Sequence, residues 1–336
     1  MALDVTIRGE DFVFDEKPTL EGRVWNGIRL EGLLPNSRMV QGSFDDLNIE
    51  TVSQWAYPDT KTWDAERNTR EFIAAMPDWR SHGLLAITLN LQGGSPQGYS
   101  KAQPWHNSAF EADGSLRPDY LSRLERIINR AGELRMAVIL GYFYFGQDQR
   151  LRDEAAVIHG VDLATKWVLD HGWRHVLIEI NNEANEDYEH EILKPRRVHE
   201  LIRRVKKMER GLLVSTSFGG GKVPTANVIA ASDFVLIHGN GIRTAGKMTE
   251  FIGKVRAAMH GVVKPVVINE DDHFDFDKPE NNFIAATREH VSWGYFDFRK
   301  QGEKPEDGYQ SVPVDWGITS ERKKGFFGLL KSMSGL

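Results

Sequence analysis

Two glutamates, Glu183 and Glu270, each stand at the end of a short apolar run. Glu183 follows Asn182 after the run that begins at His175, and Glu270 ends the run that begins at Pro265. Short runs rich in β-branched residues are typical of strands buried on both faces of a parallel sheet. Since a facing pair of carboxyl groups is the minimal equipment for cleaving a glycosidic bond, these glutamates are candidate catalytic residues.

The rest of the chain alternates between strand-like and helix-like segments, which predicts βα units and a parallel sheet. Strand candidates lie near residues 39–40, 84–89, 136–140, 176–180, 212–216, 234–237, 266–268 and 293–296. Helix-like stretches cover residues 67–82, 118–134, 160–171, 195–210, 249–259 and 279–289, and a closing helix covers 320–331. Eight such units predict an α/β fold, a (β/α)8 TIM barrel, in which the glycine-rich stretch 219–224 leaves little room for a fifth helix.

Residues 1–37 differ from the rest of the chain in their predicted secondary structure, because they consist of short strand-like segments separated by turns. We interpret them as an N-terminal β-hairpin cap packed on a catalytic barrel at 38–336, in one domain overall. Segments that follow the strand candidates are long and polar-aromatic, whereas segments that precede them are short. In a (β/α)8 barrel the segments after the strands form the active face, so Glu183 and Glu270 are predicted to lie there.

Composition excludes several classes of function. The chain of 336 residues has a net charge of -6 and no cysteine, so nucleic-acid binding is not indicated, and thiolate sites and disulfides are excluded. The N-terminus lacks the pattern of a signal peptide, and no window approaches the roughly 18 apolar residues of a membrane span. We therefore expect a soluble, cytoplasmic protein as written, unless a leader was removed, with no membrane partner. The sequence gives no indication of oligomeric state.

The motifs Ile180-Asn-Asn-Glu183 and Asn269-Glu270 resemble those of the retaining (β/α)8 glycoside hydrolases of clan A, over roughly residues 38–331. In that clan an Asn-Glu pair ending the fourth strand supplies the acid/base, and a glutamate ending the seventh supplies the nucleophile. The resemblance implies that Glu183 is the acid/base, that Asn182 binds a sugar hydroxyl and that Glu270 is the nucleophile. It also implies that His238 touches the nucleophile and that Trp293 forms an aromatic floor under the sugar.

Further substrate-binding candidates follow the other strands. They are Tyr144, Gln92, Asp148, Asp272 and His273, within a concentration of aromatic residues that also includes Tyr99, Trp105, Tyr142 and Tyr295. Sugars offer apolar faces to rings and hydroxyls to amides and carboxylates. Strand alternation predicts that Tyr142 and Tyr144 share one side. The acidic flank Asp271-Asp272-His273 departs from the clan pattern and is expected to raise the pKa of neighbouring carboxyls.

Two other functions remain open at this stage. A metal-dependent sugar isomerase or epimerase would gather Asp45, Asp46, Asp148, His238 and the Asp271-Asp272-His273 flank around Mg²⁺ or Mn²⁺. A non-catalytic sugar-binding barrel would keep the aromatic residues but not need the glutamates. No metal-ligand spacing, phosphate-binding loop or serine nucleophile motif is present, so we expect no metal and no cofactor. The interpretation favoured by the two strand-end glutamates is a retaining glycoside hydrolase acting on an oligo- or polysaccharide.

Overall fold

The computed structural model describes residues 3–97, 100, 102–298 and 303–336. The N-terminal segment contains five short strands: β1 (Val5–Arg8), β2 (Asp11–Phe14), β3 (Lys17–Pro18), β4 (Val24–Trp25) and β5 (Ile28–Arg29). Eight further strands follow: β6 (Asn36–Arg38), β7 (Ala86–Asn90), β8 (Ala137–Phe143), β9 (Val176–Asn181), β10 (Leu213–Ser215), β11 (Val235–His238), β12 (Val266–Glu270) and β13 (Gly294–Tyr295). The helices are α1 (Ala65–Ser81), α2 (Pro118–Glu133), α3 (Glu154–Asp170), α4 (His199–Met208), α5 (Ala226–Ala231), α6 (Ala245–Ala258), α7 (Asn282–Arg288) and α8 (Glu321–Ser334).

The eight strands β6–β13 form a parallel barrel. Six of them pair in the order β10-β9-β8-β7-β6-β13, and β11 pairs with β12. Parallel bridges from Val267 to Ser292 and from Asp271 to Tyr295 join β12 to the β13 segment. Between β10 and β11, the Asp233 amide just before β11 donates to the carbonyl of Val214 in β10 at 2.9 Å. The predicted (β/α)8 architecture is therefore confirmed, and α5, the fifth helix of the barrel, has only six residues.

The cap closes the amino-terminal end of this barrel. Strands β1, β2 and β3 make an antiparallel sheet, and β4 pairs with β5 in a separate hairpin. Val5, Phe12 and Phe14 of the sheet join one buried cluster with the first inward-facing residues of the barrel strands, among them Leu177 and Phe234. Phe12 meets Phe234 edge to face, with ring centroids 6.3 Å apart. The barrel interior is thus apolar at this end, which leaves the opposite end for polar side chains.

Side-chain caps set where several helices begin. Asp153 accepts a hydrogen bond from the Ala156 amide at 2.8 Å, so α3 starts at Glu154, earlier than the apolar spacing predicts. Thr244 caps α6 in the same way and starts it at Ala245. A short polar side chain that satisfies a free amide in the first turn stabilises a helix start. Since these starts follow directly on the loops after β8 and β11, the caps also fix where those loops end.

None of the described helices is long and apolar enough to cross a membrane.

Removing the Phe12 ring tests whether the cap and barrel fold as one unit. Phe12 is fully buried, so Phe12→Ala should lower the free energy of unfolding by about 3–5 kcal/mol. Ile49→Ala, at a residue 88% exposed, is the control and should change it by no more than about 0.5 kcal/mol. Urea denaturation followed by circular dichroism measures both. A loss below about 1 kcal/mol for Phe12→Ala would contradict the packing of the cap described above.

Candidate active site

A cleft of about 910 Å³ opens at the carboxyl ends of the barrel strands, and both Glu183 and Glu270 line it. Glu183 follows β9, the fourth barrel strand, and Glu270 ends β12, the seventh. Oxygen atoms of the two carboxyl groups lie within 4.8 Å of each other. Barrel closure therefore brings together the two glutamates that the sequence places at separate strand ends.

The backbone turns sharply at Glu183. Its φ of 50° lies in the left-handed region, which a residue with a side chain adopts at a cost of about 1–3 kcal/mol. The Glu183 amide donates to the hydroxyl of Ser217 at 2.8 Å, and the next amide, that of Ala184, donates to the Ser217 carbonyl at 2.9 Å. These bonds from the loop after β10 hold the turn that points the Glu183 side chain into the cleft.

Burial sets the protonation state of Glu183. Removal from water raises the pKa of its carboxyl from the ordinary 4.5 to about 7, while the charge of Arg38 opposes the rise. One oxygen of Glu183 lies 2.8 Å from Nδ1 of His238. Glu183 can therefore hold a proton at neutral pH, as a general acid must.

Glu270 is bound by two donors. Nε of Arg38 lies 2.9 Å from one carboxylate oxygen, and the Asn240 side-chain amide donates to the other. Burial raises the pKa of Glu270 above its usual value, although the charge of Arg38 and the Asn240 hydrogen bond oppose the rise. A guanidinium in direct contact stabilises the carboxylate form. The two glutamates thus have different surroundings, of which only that of Glu270 includes a cation in hydrogen-bond contact.

His238 lies between the two carboxyl groups. His238 is in register with Glu270 after an irregularity in the pairing of β11 with β12. Nδ1 is 2.8 Å from Glu183 and 3.6 Å from Glu270. Burial lowers the pKa of this imidazole, so the ring is neutral at neutral pH. The predicted proximity of His238 to the nucleophile candidate is present, but its hydrogen bond is to Glu183.

Arg38 is the main site residue that the sequence analysis missed. It ends β6, its side chain is 2% exposed, and it also lies 3.7 Å from the buried carboxylate of Glu179 on β9. Its position offered a sign, because Arg38 is the only charged residue between Glu31 and Asp45. A lone charge at the end of a predicted barrel strand is unusual unless it is paired inside the barrel.

Tyr144, which the sequence predicts to bind sugar, lines the cleft, and its ring stacks on Phe145 with centroids 4.5 Å apart. The loop after β7 passes directly beneath it. A Cβ at Gly93 would overlap the Cβ of Tyr144, and Gly93 has a φ of 86°, so the loop needs glycine there. The prediction that Tyr142 and Tyr144 share a side is wrong: the Tyr142 hydroxyl pairs with Thr165 of α3 at 3.2 Å. Strand β8 ends at Phe143, so alternation stops before Tyr144.

Gln92 and Asp148 lie close to the cleft but are fully buried and hold loops together. The side chain of Gln92 donates to the Gln147 carbonyl at 3.1 Å and accepts from the Tyr144 amide at 3.3 Å. Asp148 accepts from the Glu189 amide at 2.8 Å. Neither belongs to the described residues that line the cleft. The structure therefore places them as supports of the loops after β7, β8 and β9, in contrast to their predicted role in binding substrate.

Trp293 is placed in the core, in contrast to the predicted floor of the cleft. It comes just before β13, stacks on Phe283 with centroids 4.9 Å apart, and is 1% exposed. Its Nε1 donates to Asp271 at 2.8 Å. Phe296, which follows β13, lines the cleft instead. A shift of three residues along the last strand moves the ring from the sheet–helix layer to the carboxyl end.

The flank Asp271-Asp272-His273 divides between two surroundings. Asp272 lines the cleft, whereas His273 lines a neighbouring pocket of about 310 Å³. Nδ1 of His273 lies 2.6 Å from the buried carboxylate of Asp271, so that pair is internal. Asn182 is buried directly before Glu183, and its carbonyl accepts from the Tyr188 hydroxyl at 2.5 Å. Tyr99 lies outside the described residues, and Trp105 and Tyr295 are buried.

Comparison with solved structures identifies many barrels of the same fold. A glycoside hydrolase family 5 protein from Bacteroides vulgatus shares 14% identity at a TM-score of 0.58, covering 98% of this chain and 70% of its own. An endo-1,4-β-mannanase from Rhizomucor miehei shares 12% at 0.60, covering 99% and 100%. A β-mannanase from the mussel Mytilus edulis shares 10% at 0.56, covering 100% and 97%. At such identities the likeness establishes the (β/α)8 barrel fold of these glycoside hydrolases.

No protein-family model matches the sequence, and no curated protein matches it either.

The raised pKa of Glu183 has a consequence for stability. Between about pH 4.5 and about pH 7 the folded protein keeps a proton that the unfolded chain releases, so Glu183 makes stability fall as pH rises. Glu183→Gln removes this dependence. The free energy of unfolding of the variant, relative to that of the parent, should therefore be about 3 kcal/mol higher at pH 8 than at pH 4. Urea unfolding at a series of pH values measures the difference. Equal pH dependence in parent and variant would contradict an acidic Glu183 that is protonated near neutrality.

Glu200→Gln is the matched control for that measurement. The hydrogen bond from Arg197 lowers the pKa of Glu200, so the stability that depends on this group is lost only below the window in question. The control should therefore follow the parent from pH 4.5 to pH 7.

Arg38 should hold down the pKa of both site carboxyls. Arg38→Met removes the positive charge while keeping most of the side-chain length, and we expect the pKa of Glu270 and of Glu183 to rise further. Carbon-13 NMR titration of labelled glutamate carboxyls measures both values. Arg123→Met is the control, because Arg123 is also buried but pairs with Asp45 away from the site. No change at Glu270 in Arg38→Met would contradict the ion pair.

Proposed function

We propose that the protein is a glycoside hydrolase that cleaves glycosidic bonds with retention of anomeric configuration, with Glu183 as the acid/base and Glu270 as the nucleophile. One observation carries the proposal. Two carboxyl groups face each other across a cleft, and burial raises the pKa of both, that of Glu183 to about 7, but only Glu270 has a guanidinium in hydrogen-bond contact. Because a contacting guanidinium stabilises the carboxylate form, this difference supports Glu183 as the acid and Glu270 as the nucleophile.

In the first step, an oxygen of Glu270 forms a bond to the anomeric carbon while the bond from that carbon to the leaving oxygen breaks. The proton of Glu183 passes to the leaving oxygen. His238 occupies one oxygen of Glu183, which leaves the other to carry that proton toward the substrate. The product of this step is a sugar esterified to Glu270, and Glu183 is now a carboxylate.

In the second step, Glu183 takes a proton from a water molecule as the oxygen of that water bonds to the anomeric carbon. The bond between the sugar and Glu270 breaks, and Arg38 and Asn240 again bind a free carboxylate. The proton balance closes, because Glu183 regains the proton that it gave to the leaving group. Two displacements at one carbon give net retention.

The spacing of the carboxyl groups favours retention over inversion. In inverting enzymes the two groups stand about 6.5–9.5 Å apart to leave room for a water molecule, whereas in retaining enzymes they stand about 5–5.5 Å apart. Oxygens of Glu183 and Glu270 within 4.8 Å agree with the shorter class. Direct attack by Glu270 therefore suits the cleft better than attack by an interposed water.

The alternative of a metal-dependent sugar isomerase has a specific basis. Glu183, His238 and Glu270 each offer a ligand atom within 4.8 Å of the others, as do Asp271, Asp272 and His273. In the first group Arg38 already supplies a positive charge 2.9 Å from Glu270. A divalent ion at that position would meet strong repulsion from the guanidinium. Activity that disappears on chelation and returns with Mn²⁺ would favour the isomerase.

The solved structures guide the choice of first substrates. They include a mannosidase from Rhizomucor miehei and an endoglucanase from Clostridium longisporum, besides the mannanases above. We therefore propose β-mannosides and β-glucosides as the starting panel, with nitrophenyl glycosides and the corresponding oligosaccharides compared side by side.

Two substitutions separate the roles of the glutamates. Glu183→Ala should slow hydrolysis of an alkyl glycoside by about 10²–10⁴-fold and that of a nitrophenyl glycoside much less, because a good leaving group needs no proton. Glu270→Ala should remove activity on both substrates, and azide should restore it with inverted product.

The wild-type rate constant kcat/KM should fall above about pH 7 as Glu183 loses its proton. Glu200→Gln, on the outer face of α4, should behave as wild type.

Near-native turnover in either alanine variant would contradict the assignment. So would a first-formed sugar of inverted configuration, observed by proton NMR before mutarotation.

A further inference from the structure

The two sides of the cleft differ in exposure. Among the described residues on the side of the loops after β6, β7 and β13, Val40 is 1% exposed, Ser95 7% and Gln310 2%, Gly94 is buried, and Ser100 is partly exposed. The four buried residues are called the closed wall below. On the side of the loops after β9 and β11 the lining residues Glu186, Asp187 and Gly241 are exposed. The described part of the cleft is therefore more enclosed on the side of β6, β7 and β13 than on the side of β9 and β11.

The closed wall is built from three loops that bind one another. Nε2 of Gln41 donates to the Ser95 carbonyl at 2.9 Å and to the Gln310 carbonyl at 3.2 Å. The amide of Val312 donates to the Pro96 carbonyl at 2.9 Å. These bonds join the loop after β6 to those after β7 and β13. These contacts tie the described parts of the three loops to one another.

A layer of aromatic residues supports the wall from outside. Phe44, Trp55 and Trp105 form a buried cluster with Val312, and each loop of the wall contributes to it. Phe44 meets Trp55 with ring centroids 5.6 Å apart, and Trp55 meets Trp105 at 5.8 Å. Buried aromatic clusters of this kind resist opening, because separating the loops would expose large apolar surfaces. The wall is thus a fixed part of the fold.

The closed wall stands next to the nucleophile candidate. Gln310 donates through its side chain to the carbonyl of Arg38, the residue whose Nε contacts Glu270, and Val40 follows two positions later. The open side instead continues from Glu183: the Glu186 amide donates to the Glu183 carbonyl at 2.8 Å. A sugar bonded to Glu270 would lie against the wall, and its leaving group would lie toward Glu183 and the open side.

The chemistry of glycosides determines which end of the sugar chain would lie on each side of the cleft. The anomeric carbon that Glu270 would attack belongs to the sugar on the non-reducing side of the broken bond, and the leaving group carries the reducing end. Space for further sugars is therefore available toward the reducing end. Toward the non-reducing end, the closed wall limits what can precede the attacked sugar.

We propose that the protein is an exo-acting hydrolase that releases one sugar at a time from the unsubstituted non-reducing end of a chain. This inference rests on the proposed function, which it deepens, and it concerns the chain end rather than the identity of the sugar. The leaving part of the chain would extend across Glu186, Asp187 and Gly241, which line the cleft and are exposed.

Two derivatives of one tetrasaccharide test the proposal on the wild-type protein. Mannotetraose or cellotetraose, whichever is hydrolysed, carries a bulky fluorophore either on its non-reducing terminal sugar or on its reducing end. The reducing-end derivative should shorten by one sugar at a time and release only free monosaccharide. The non-reducing-end derivative should react at least about a hundredfold more slowly, because its fluorophore would meet the closed wall. Each factor of ten in rate corresponds to about 1.4 kcal/mol of lost transition-state binding.

Comparable rates on both derivatives, or release of disaccharides and internal fragments, would overturn the exo assignment while leaving the hydrolase intact. Loss of activity in Glu183→Ala and Glu270→Ala on the unlabelled tetrasaccharide would show that the same site acts in that case. If neither unlabelled tetrasaccharide nor any glycoside of the panel is hydrolysed, the proposed function itself fails, and the exo assignment fails with it.

Discussion

The ion pair between Arg38 and Glu270 is the interaction on which the arrangement of the site depends. Both groups are almost completely buried, and each would be costly to keep charged without the other. The pair spans the barrel interior from the first strand to the seventh, so it exists only when the barrel closes. Glu179 adds a second carboxylate at 3.7 Å, which brings the guanidinium between two opposite charges.

The same ion pair explains why two similar glutamates can have different tasks. Glu270 has a cation in contact and an amide at its other oxygen, whereas Glu183 has a neutral imidazole. With comparable burial, the group without a cation in contact keeps its proton more readily. The strained turn at Glu183 and the bonds from Ser217 then fix where that proton is presented. The ion pair thus distinguishes the two carboxyl groups, and the backbone turn positions that of Glu183.

Periodicity and strand ends predicted the architecture and the two glutamates, because short buried strands and the loops that follow them leave clear patterns in composition. For contacts inside the barrel the pattern is weaker. The isolated charge of Arg38 indicates that it has a partner, but its pairing with Glu270 joins residues far apart in the chain, so sequence spacing does not identify that partner. Trp293 and Phe296 show a similar difficulty, since a shift of three residues at the last strand decides which ring reaches the cleft. Gln92 and Asp148 have side chains typical of sugar binding, yet their hydrogen bonds hold loops.

The central claim is that Glu270 forms a covalent bond to the sugar. A fluorosugar with an activated leaving group forms such an intermediate quickly. Because the intermediate is then hydrolysed slowly, the bond can be observed by mass spectrometry. For the 2-deoxy-2-fluoro glycoside of a hydrolysed sugar, the intact protein should gain the mass of one fluorosugar, and peptide mapping should locate it on Glu270. A label on another residue, or hydrolysis of the parent glycoside with inversion and no label, would contradict the account.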